Sequence, residues 1–442
     1  AEFQQQADSA ALSQLNKNLF DTEQQYEQHI NHLASAYPAY QSYKQEEQEL
    51  TLERLQKELL PKGNLALEFM WGEENIYLLA LDYDQVLFQQ IPRGDLPQLI
   101  PNYLEGLRSR SFDPQEAEQL ANILMNNVLS KFKEHEHLTI FADGLLGYLP
   151  FETLMASEPG EGGSEFLINR FTINYHISAK LLGLPKLENA QVAKQSFLGY
   201  APVFEKESNP LLASRSAENI QAVSELERLP QAEQEVKNIA GLLGGSYKLG
   251  AQATEADFKR SAHQSNIIHL ASHAIVDDKN PLFSRLVFAS SQDSLEDGLL
   301  HTYELYNIQL NADLACLSAC NTGIGVYHQG EGIVSLAQGF LHAGVPNVMM
   351  SLWSVPDQST AQIMLYFYEE IKNGQGKADA LRQAKLRYLE TADANTQDPY
   401  YWAAFTLIGD NQAIKDKGWE IWQMVLMALG MALMGFILYR LK

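Results

Sequence analysis

After Pro185, short apolar runs alternate with amphipathic stretches all the way to residue 408. The pattern predicts strands at 197–200, 247–249, 267–272, 286–289, 314–318, 347–353 and 402–408. It predicts helices at 231–243, 255–263, 332–343, 358–373 and 377–391. Such alternation leaves an α/β fold with a mostly parallel sheet covered by helices on both faces. Two of its apolar runs end on reactive side chains. Ile267-Ile268-His269-Leu270-Ala271-Ser272 is followed by His273, and Leu314-Ala315-Cys316-Leu317-Ser318-Ala319 by Cys320. Neighbouring parallel strands would bring both tips to the carboxyl edge of the sheet, where open α/β folds hold their ligands.

A thiol near its free pKa of about 8.5 is a poor nucleophile at neutral pH, and an adjacent imidazole corrects this by taking the proton. Cys320 is therefore the candidate nucleophile and His273 its base. The backbone amides of Cys320 and Ala274, at the same strand tips, are candidate donors for the oxyanion formed when a carbonyl is attacked. Cys316, in mid-strand, reads as packing. His269 points to the same face as His273 but roughly a dozen ångströms lower, and reads as a core or supporting histidine. Asp277 and Asp278 follow His273, and with Asp313 are candidates to line a pocket for a basic residue. Glu331, at a predicted helix start, and Asp357, expected as the N-cap of the helix after it, complete the candidate pocket.

Bulk properties narrow the partners. The 442 residues are 45% hydrophobic with a formal charge of −23, enough apolar content for a real core and far too acidic for phosphate-backbone binding. The expected partner is a protein substrate, with no nucleic acid and no cofactor. The two cysteines lie four apart in one predicted strand, roughly 13 Å from each other, so they neither bridge nor form a metal cluster. A chain without a disulfide framework suits a reducing compartment, and a cytoplasmic catalytic domain is expected.

Before Pro185 the organisation differs. Residues 12–37 carry apolar side chains at helical spacing, and a second helix runs to about residue 60, giving a helical segment over 1–61. Strands at 65–70, 76–82, 86–91 and 137–141, a helix at 114–132 and two short strands within 166–177 form an α/β half over 62–190, ahead of a catalytic domain at 191–411 and a linker at 412–420. Residues 421–439 carry no formal charge. At 1.5 Å per residue they span about 28 Å, close to the hydrocarbon core, and Trp419, Trp422, Tyr439 and Arg440 are placed as interfacial anchors. A single-pass C-terminal transmembrane helix is expected, with a buried terminal helix as its alternative. The chain opens at Ala1 without Met or a signal-like stretch, and reads as a processed or truncated product with a repeat or sensor region upstream.

Several separated pieces, in order, resemble the CHAT family of caspase-like cysteine peptidases, which is related more distantly to caspases and separase. They are LPFE at 149–152, HLASHA at 269–274, LSACNTG at 317–323, GEG at 330–332 and AGVPNVMMSLWSVPD at 343–357. The order His then Cys, 47 residues apart, also matches the caspase arrangement. The resemblance implies a peptidase with its dyad on His273 and Cys320, a caspase-like sheet, and a degenerate pseudo-peptidase half before it. Family members often carry tetratricopeptide repeats upstream, of which the first 60 residues look like the end. Where the family commonly has Gly after the histidine, this chain has Ala274, for which a positive φ would be strained. The leading expectation is a membrane-tethered endopeptidase, and its rival a non-enzymatic scaffold of the same fold.

Overall fold

The computed structural model describes residues 50–156, 163–182, 195–202, 229–277, 279–290, 296–318, 326–328, 332–334 and 336–414. The first predicted helix and the candidate membrane span at 421–439 lie outside them. Among the described residues no helix is long and apolar enough to cross a membrane. The first compact unit, Ala1–Leu55, enters this range only as the turn Leu52–Arg54, capped by Thr51, whose Oγ1 accepts from Arg54 N.

In the second unit, the predicted strands assemble into one 11-stranded sheet. Its members are β1 (Asn64–Trp71), β2 (Asn75–Leu81), β3 (Val86–Pro92), β4 (His137–Ala142), β7 (Thr172–His176), β8 (Gln195–Ala201), β9 (Ser246–Leu249), β10 (Ser265–Leu270), β14 (Leu314–Leu317), β17 (Val348–Ser351) and β18 (Phe405–Ile408). The spatial order is β3-β2-β1-β4-β7-β18-β17-β14-β10-β8-β9. Every residue of β14 is buried, as continuous apolar runs must be when a parallel sheet is covered on both faces.

Three small antiparallel sheets complete the strands among the described residues. β5 (Met155–Ala156) pairs with β6 (Glu165–Phe166). β11 (His273–Ile275), β12 (Arg285–Val287) and β13 (Leu299–His301) form a separate three-stranded sheet, so the predicted strand at 286–289 does not join the main sheet. The helix expected from residue 332 starts only at Leu336: β16 (Gly332–Val334) pairs instead with β15 (Val326–His328). The β-branched Val326, Ile333 and Val334 favour that hairpin over a helical turn. Residues 399–402 are a helical turn capped by Asp398, so the last strand begins at Phe405.

The sheet is parallel from β17 to β9 and from β18 to β1, but it reverses between β17 and β18, and its far edge, β1-β2-β3, is an antiparallel meander, neither of which the alternation alone anticipated. β17 and β18 are antiparallel, and β18 then runs parallel with β7, β4 and β1. The carboxyl ends of β10, β14 and β17 therefore face one edge of the sheet, and those of β1, β4 and β7 the other.

The main helices are α1 (Leu96–Arg108), α2 (Pro114–Lys131), α3 (Ala232–Leu243), α4 (Glu255–Ser261), α5 (Leu336–His342), α6 (Asp357–Lys372) and α7 (Lys377–Thr391). α1 was hidden in the sequence by Pro97 and Pro101. The first is harmless in an opening turn, and the buried stripe Leu96, Ile100, Tyr103, Leu104 and Leu107 anchors the helix. α7 fastens the two halves together. Lys385 Nζ lies 2.7 Å from Glu152 Oε1, both buried, and Tyr175 donates to the other oxygen of Glu152 at 2.5 Å. Arg382 donates to the carbonyls of Ile168 and Asn169 at 2.7 and 2.6 Å. The Glu of the LPFE motif is thus a structural clamp.

Candidate active site

β10 and β14 are adjacent and parallel, with His269 opposite Cys316 and Leu270 opposite Leu317. That pairing fixes an offset of 47 residues (316 − 269), the same as the separation of His273 and Cys320 (320 − 273). β14 is described as far as Ser318 at the carboxyl edge, and Cys320, like Asp278 and Glu331, lies outside the described residues.

After Leu270 the chain leaves the large sheet. Ala271 N still donates to Tyr200 O at 2.9 Å, Ser272 Oγ then donates to Val287 O, and His273 enters the small sheet opposite Val287. His273 is 9% exposed. Phe288 N donates to Gly298 O at 2.8 Å. By antiparallel alternation this turns the polar groups of Leu286 toward β13 and those of Val287 and Arg285 toward β11. Ala274, opposite Leu286, therefore directs its own N–H away from β12, to the free side of β11. Ala274 is extended and is not among the positive-φ residues, of which Arg110 is the one non-glycine among the described residues, so the strain expected of an alanine there does not arise.

Beneath these tips lies a buried polar cluster. His269 is fully buried, with Nε2 2.8 Å from Glu235 Oε1 and Nδ1 3.1 Å from Tyr368 Oη. Burial alone would lower the His269 pKa, but the facing Cys316 and the Glu235 carboxylate outweigh it and hold the imidazole well above its ordinary range. Tyr368 is pushed up by burial and by the same neighbours, Cys316 first and then Glu235. The thiol of Cys316 is fully buried, 3.6 Å from Met364 Sδ. Sequence reasoning found His269 but missed Glu235 and Tyr368. The readable signal was an acid on the apolar stripe of α3, which buries Ala232, Glu235, Val236, Ile239 and Ala240.

Asp357 is not the N-cap of α6; Pro356 is, and Asp357 begins the helix. Its Oδ2 accepts from the backbone N–H of Gln231, at 2.7 Å, where α3 begins. Burial raises its pKa most, the Gln231 amide lowers it, Glu235 raises it and His273 lowers it, for a net rise. Asp357 thus stands in the electrostatic reach of His273 and ties α6 to α3. Asp277 closes a turn: its Oδ1 accepts from Lys279 N and Asn280 N at 3.0 and 2.8 Å. Asp313 stands at the amino end of β14, away from the site edge, 3.6 Å from Lys377. Elsewhere, Glu255, Glu296 and Glu304 converge closely enough to hold a cation. The Lys259 ammonium already sits among them, at 2.8, 2.5 and 2.8 Å respectively.

A cleft opens at this edge between the ends of β10, β14 and β17 and the starts of α3 and α6. Ser272, Ser318, Trp353, Val355, Glu235 and Asp357 are among its walls.

Comparison with known proteins places this architecture. The model of the CHAT domain matches residues 114–410. Tetratricopeptide repeat protein 28 of Mus musculus is 25% identical over 313 residues, and that of Homo sapiens 26%. Each alignment covers 63% of this chain and 12% of the relative, so the chain spans about an eighth of their length. Among solved structures, the Saccharomyces cerevisiae separase–securin complex superposes with a TM-score of 0.50 at 10% identity, over 79% of this chain and 30% of that one. That likeness is one of fold: a mixed α/β molecule with a large, mostly parallel sheet.

Proposed function

This chain belongs to the CHAT-domain family, and from that premise we propose that it is a cysteine endopeptidase acting on a protein substrate, with His273 as base and Cys320 as nucleophile. The observation that carries the reading is the register of β10 against β14, whose 47-residue offset is the spacing of His273 and Cys320.

In the proposed reaction His273 takes the thiol proton and the Cys320 sulfur attacks the scissile carbonyl, forming a C–S bond. The oxyanion is received by the amides of Ala274 and Cys320, and the imidazolium returns the proton to the amine as the C–N bond breaks. Water, deprotonated by the same imidazole, then hydrolyses the thioester and releases the thiol. Asp357 near His273 favours the imidazolium during both steps. Residues 421–439 would tether the enzyme to a membrane and limit its substrates to proteins that come there.

Incubation with candidate substrates tests the chemistry: Cys320→Ala and His273→Ala each abolish cleavage and labelling by a thiol-reactive peptide ketone. Undiminished cleavage by the folded Cys320→Ala protein would remove Cys320 as the nucleophile, and no cleavage or labelling by the folded wild type would leave the scaffold reading standing. Deletion of residues 419–442 is expected to release the protein from the membrane fraction, and retention there would remove the tether from the proposal.

A further inference from the structure

The 11-stranded sheet ends on two edge strands, β9 and β3. An edge strand presents unpaired N–H and C=O groups, and stable folds blunt such edges by shortness, charge or proline. β9 is blunted: it has four residues, and its Lys248 lies 3.5 Å from Asp257. β3 has seven residues, Val86–Pro92, with no charged side chain among them and a proline only at the end.

Alternate residues of β3 hold it to β2. Asp82 N donates to Gln85 O at 3.0 Å and Arg93 N to Glu74 O at 2.9 Å, at the two ends of one continuous antiparallel register. By alternation Leu87, Gln89 and Ile91 turn their backbone polar groups to β2, and Val86, Phe88, Gln90 and Pro92 turn theirs to the open side. Among the described residues one of these open-side groups is engaged: Val86 O accepts from Lys131 Nζ at 3.2 Å. The same residues carry their side chains on the solvent face. Phe88 is 62% exposed, and the Tyr77 ring stacked 6.2 Å from it continues the apolar surface to the exposed Met70. On the other face, Gln89 Oε1 is buried with no hydrogen-bond partner among the described residues.

We propose that β3 is a self-association edge: two copies of this chain join β3 to β3, antiparallel about a two-fold axis at Gln89, so that their sheets run on as one. In that register Phe88 stands opposite Gln90 of the second copy, and Val86 opposite Pro92. Phe88 N and Gln90 N then meet Gln90 O and Phe88 O, and Val86 N meets Pro92 O, each in duplicate by symmetry. The two defects of the edge cancel, because the N–H that Pro92 lacks would face Val86 O, the carbonyl that Lys131 already holds. On the axis, the unmatched Oε1 of Gln89 meets the amide of its own mate, which can donate to it. The exposed Phe88 rings lie on the diagonal across the axis, within reach of one another. A second copy is the occupant, rather than a foreign strand, because the order of donors and acceptors complements itself and a two-fold pairing closes.

Sedimentation of the full chain in mild detergent should show a dimer at micromolar concentration. Phe88→Lys introduces the kind of charge that protects natural edges, and Gln90→Pro removes an N–H directed away from β2. Each should weaken the dimer roughly 10-fold or more. Gln89→Cys in the Cys320→Ala background should give, on mild oxidation, a disulfide between the two copies at position 89, mapped by mass spectrometry of the digest. A non-hydrogen-bonded antiparallel pair sets its Cα atoms about 4.5 Å apart, within disulfide reach. A monomeric wild type overturns the proposal and leaves the edge to a strand of another protein. A dimer of unchanged strength in folded Phe88→Lys or Gln90→Pro, or no bridge at position 89 in a dimeric Gln89→Cys protein, overturns it as well.

Discussion

Each half of the long sheet has parallel strands at its centre, β1, β4 and β7 in one and β10, β14 and β17 in the other, and the two finish those strands in opposite ways. In the C-terminal half the carboxyl ends of β10 and β14 lead to His273 and toward Cys320, and a cleft stays open between them. In the N-terminal half the corresponding edge is filled. Asp143, after β4, accepts from Trp71 N at 3.0 Å and from Gly144 N at 2.8 Å, and a Cβ on Gly144 would lie 2.6 Å from the Trp71 ring. His176, ending β7, is stacked on Phe141 and pushed down to about 4 by burial. On the proposed reading, the same architecture keeps an imidazole for chemistry on one side, while on the other it spends one on packing. What separates them is the chain at the strand tips, not the strands.

This contrast can be broken in order of expected effect. Cys320→Ala should lower kcat/KM on a cleaved substrate by at least about 10³-fold, whereas His176→Phe, on the opposite edge, should change it by less than about threefold; steady-state kinetics on both proteins decides. Lys385→Met leaves Glu152 buried without its ion pair and should cost about 3–5 kcal/mol in denaturant unfolding. A loss under about 1 kcal/mol would show that the halves do not depend on this clamp. Gly144→Val should cost about 2–4 kcal/mol, since φ is +63° and Trp71 blocks the Cβ, and a Trp fluorescence shift should accompany it.

The smallest effect is one of pH. His176 titrates near 4 when folded and near 6.5 when unfolded. The unfolded chain therefore binds the proton first, and the contribution of neutral His176 is complete above pH 6.5 and is lost as pH falls toward 4. Its size is roughly 2–3 kcal/mol. Urea midpoints for wild type and His176→Phe should converge in slope at neutral pH and diverge between pH 6.5 and 4, and parallel curves throughout would remove His176 from the account.

Much of this was legible in the chain. Alternating apolar runs gave the strands of the large sheet, because burial on both faces demands continuous Val, Ile and Leu. The 47-residue spacing located the candidate pair, and a register set by strand pairing matched it. The carboxylates were less legible: in the sequence Asp277 and Asp313 look like Asp357, but one closes a turn and the other stands at the amino end of its strand. Glu235 went unseen because an acid on a helix face declares itself only when that face proves to be buried.

The sequence by itself determined the α/β class and the family motifs, and singled out the two side chains proposed as nucleophile and base, since periodicity and residue chemistry are local properties. Only the tertiary structure decided that the sheet reverses between β17 and β18, that His273 passes into a second small sheet, and that Glu235 and Asp357 share one cleft. Those are consequences of strand order and helix packing across hundreds of residues, and no local pattern of side chains encodes which edge a strand's end will face.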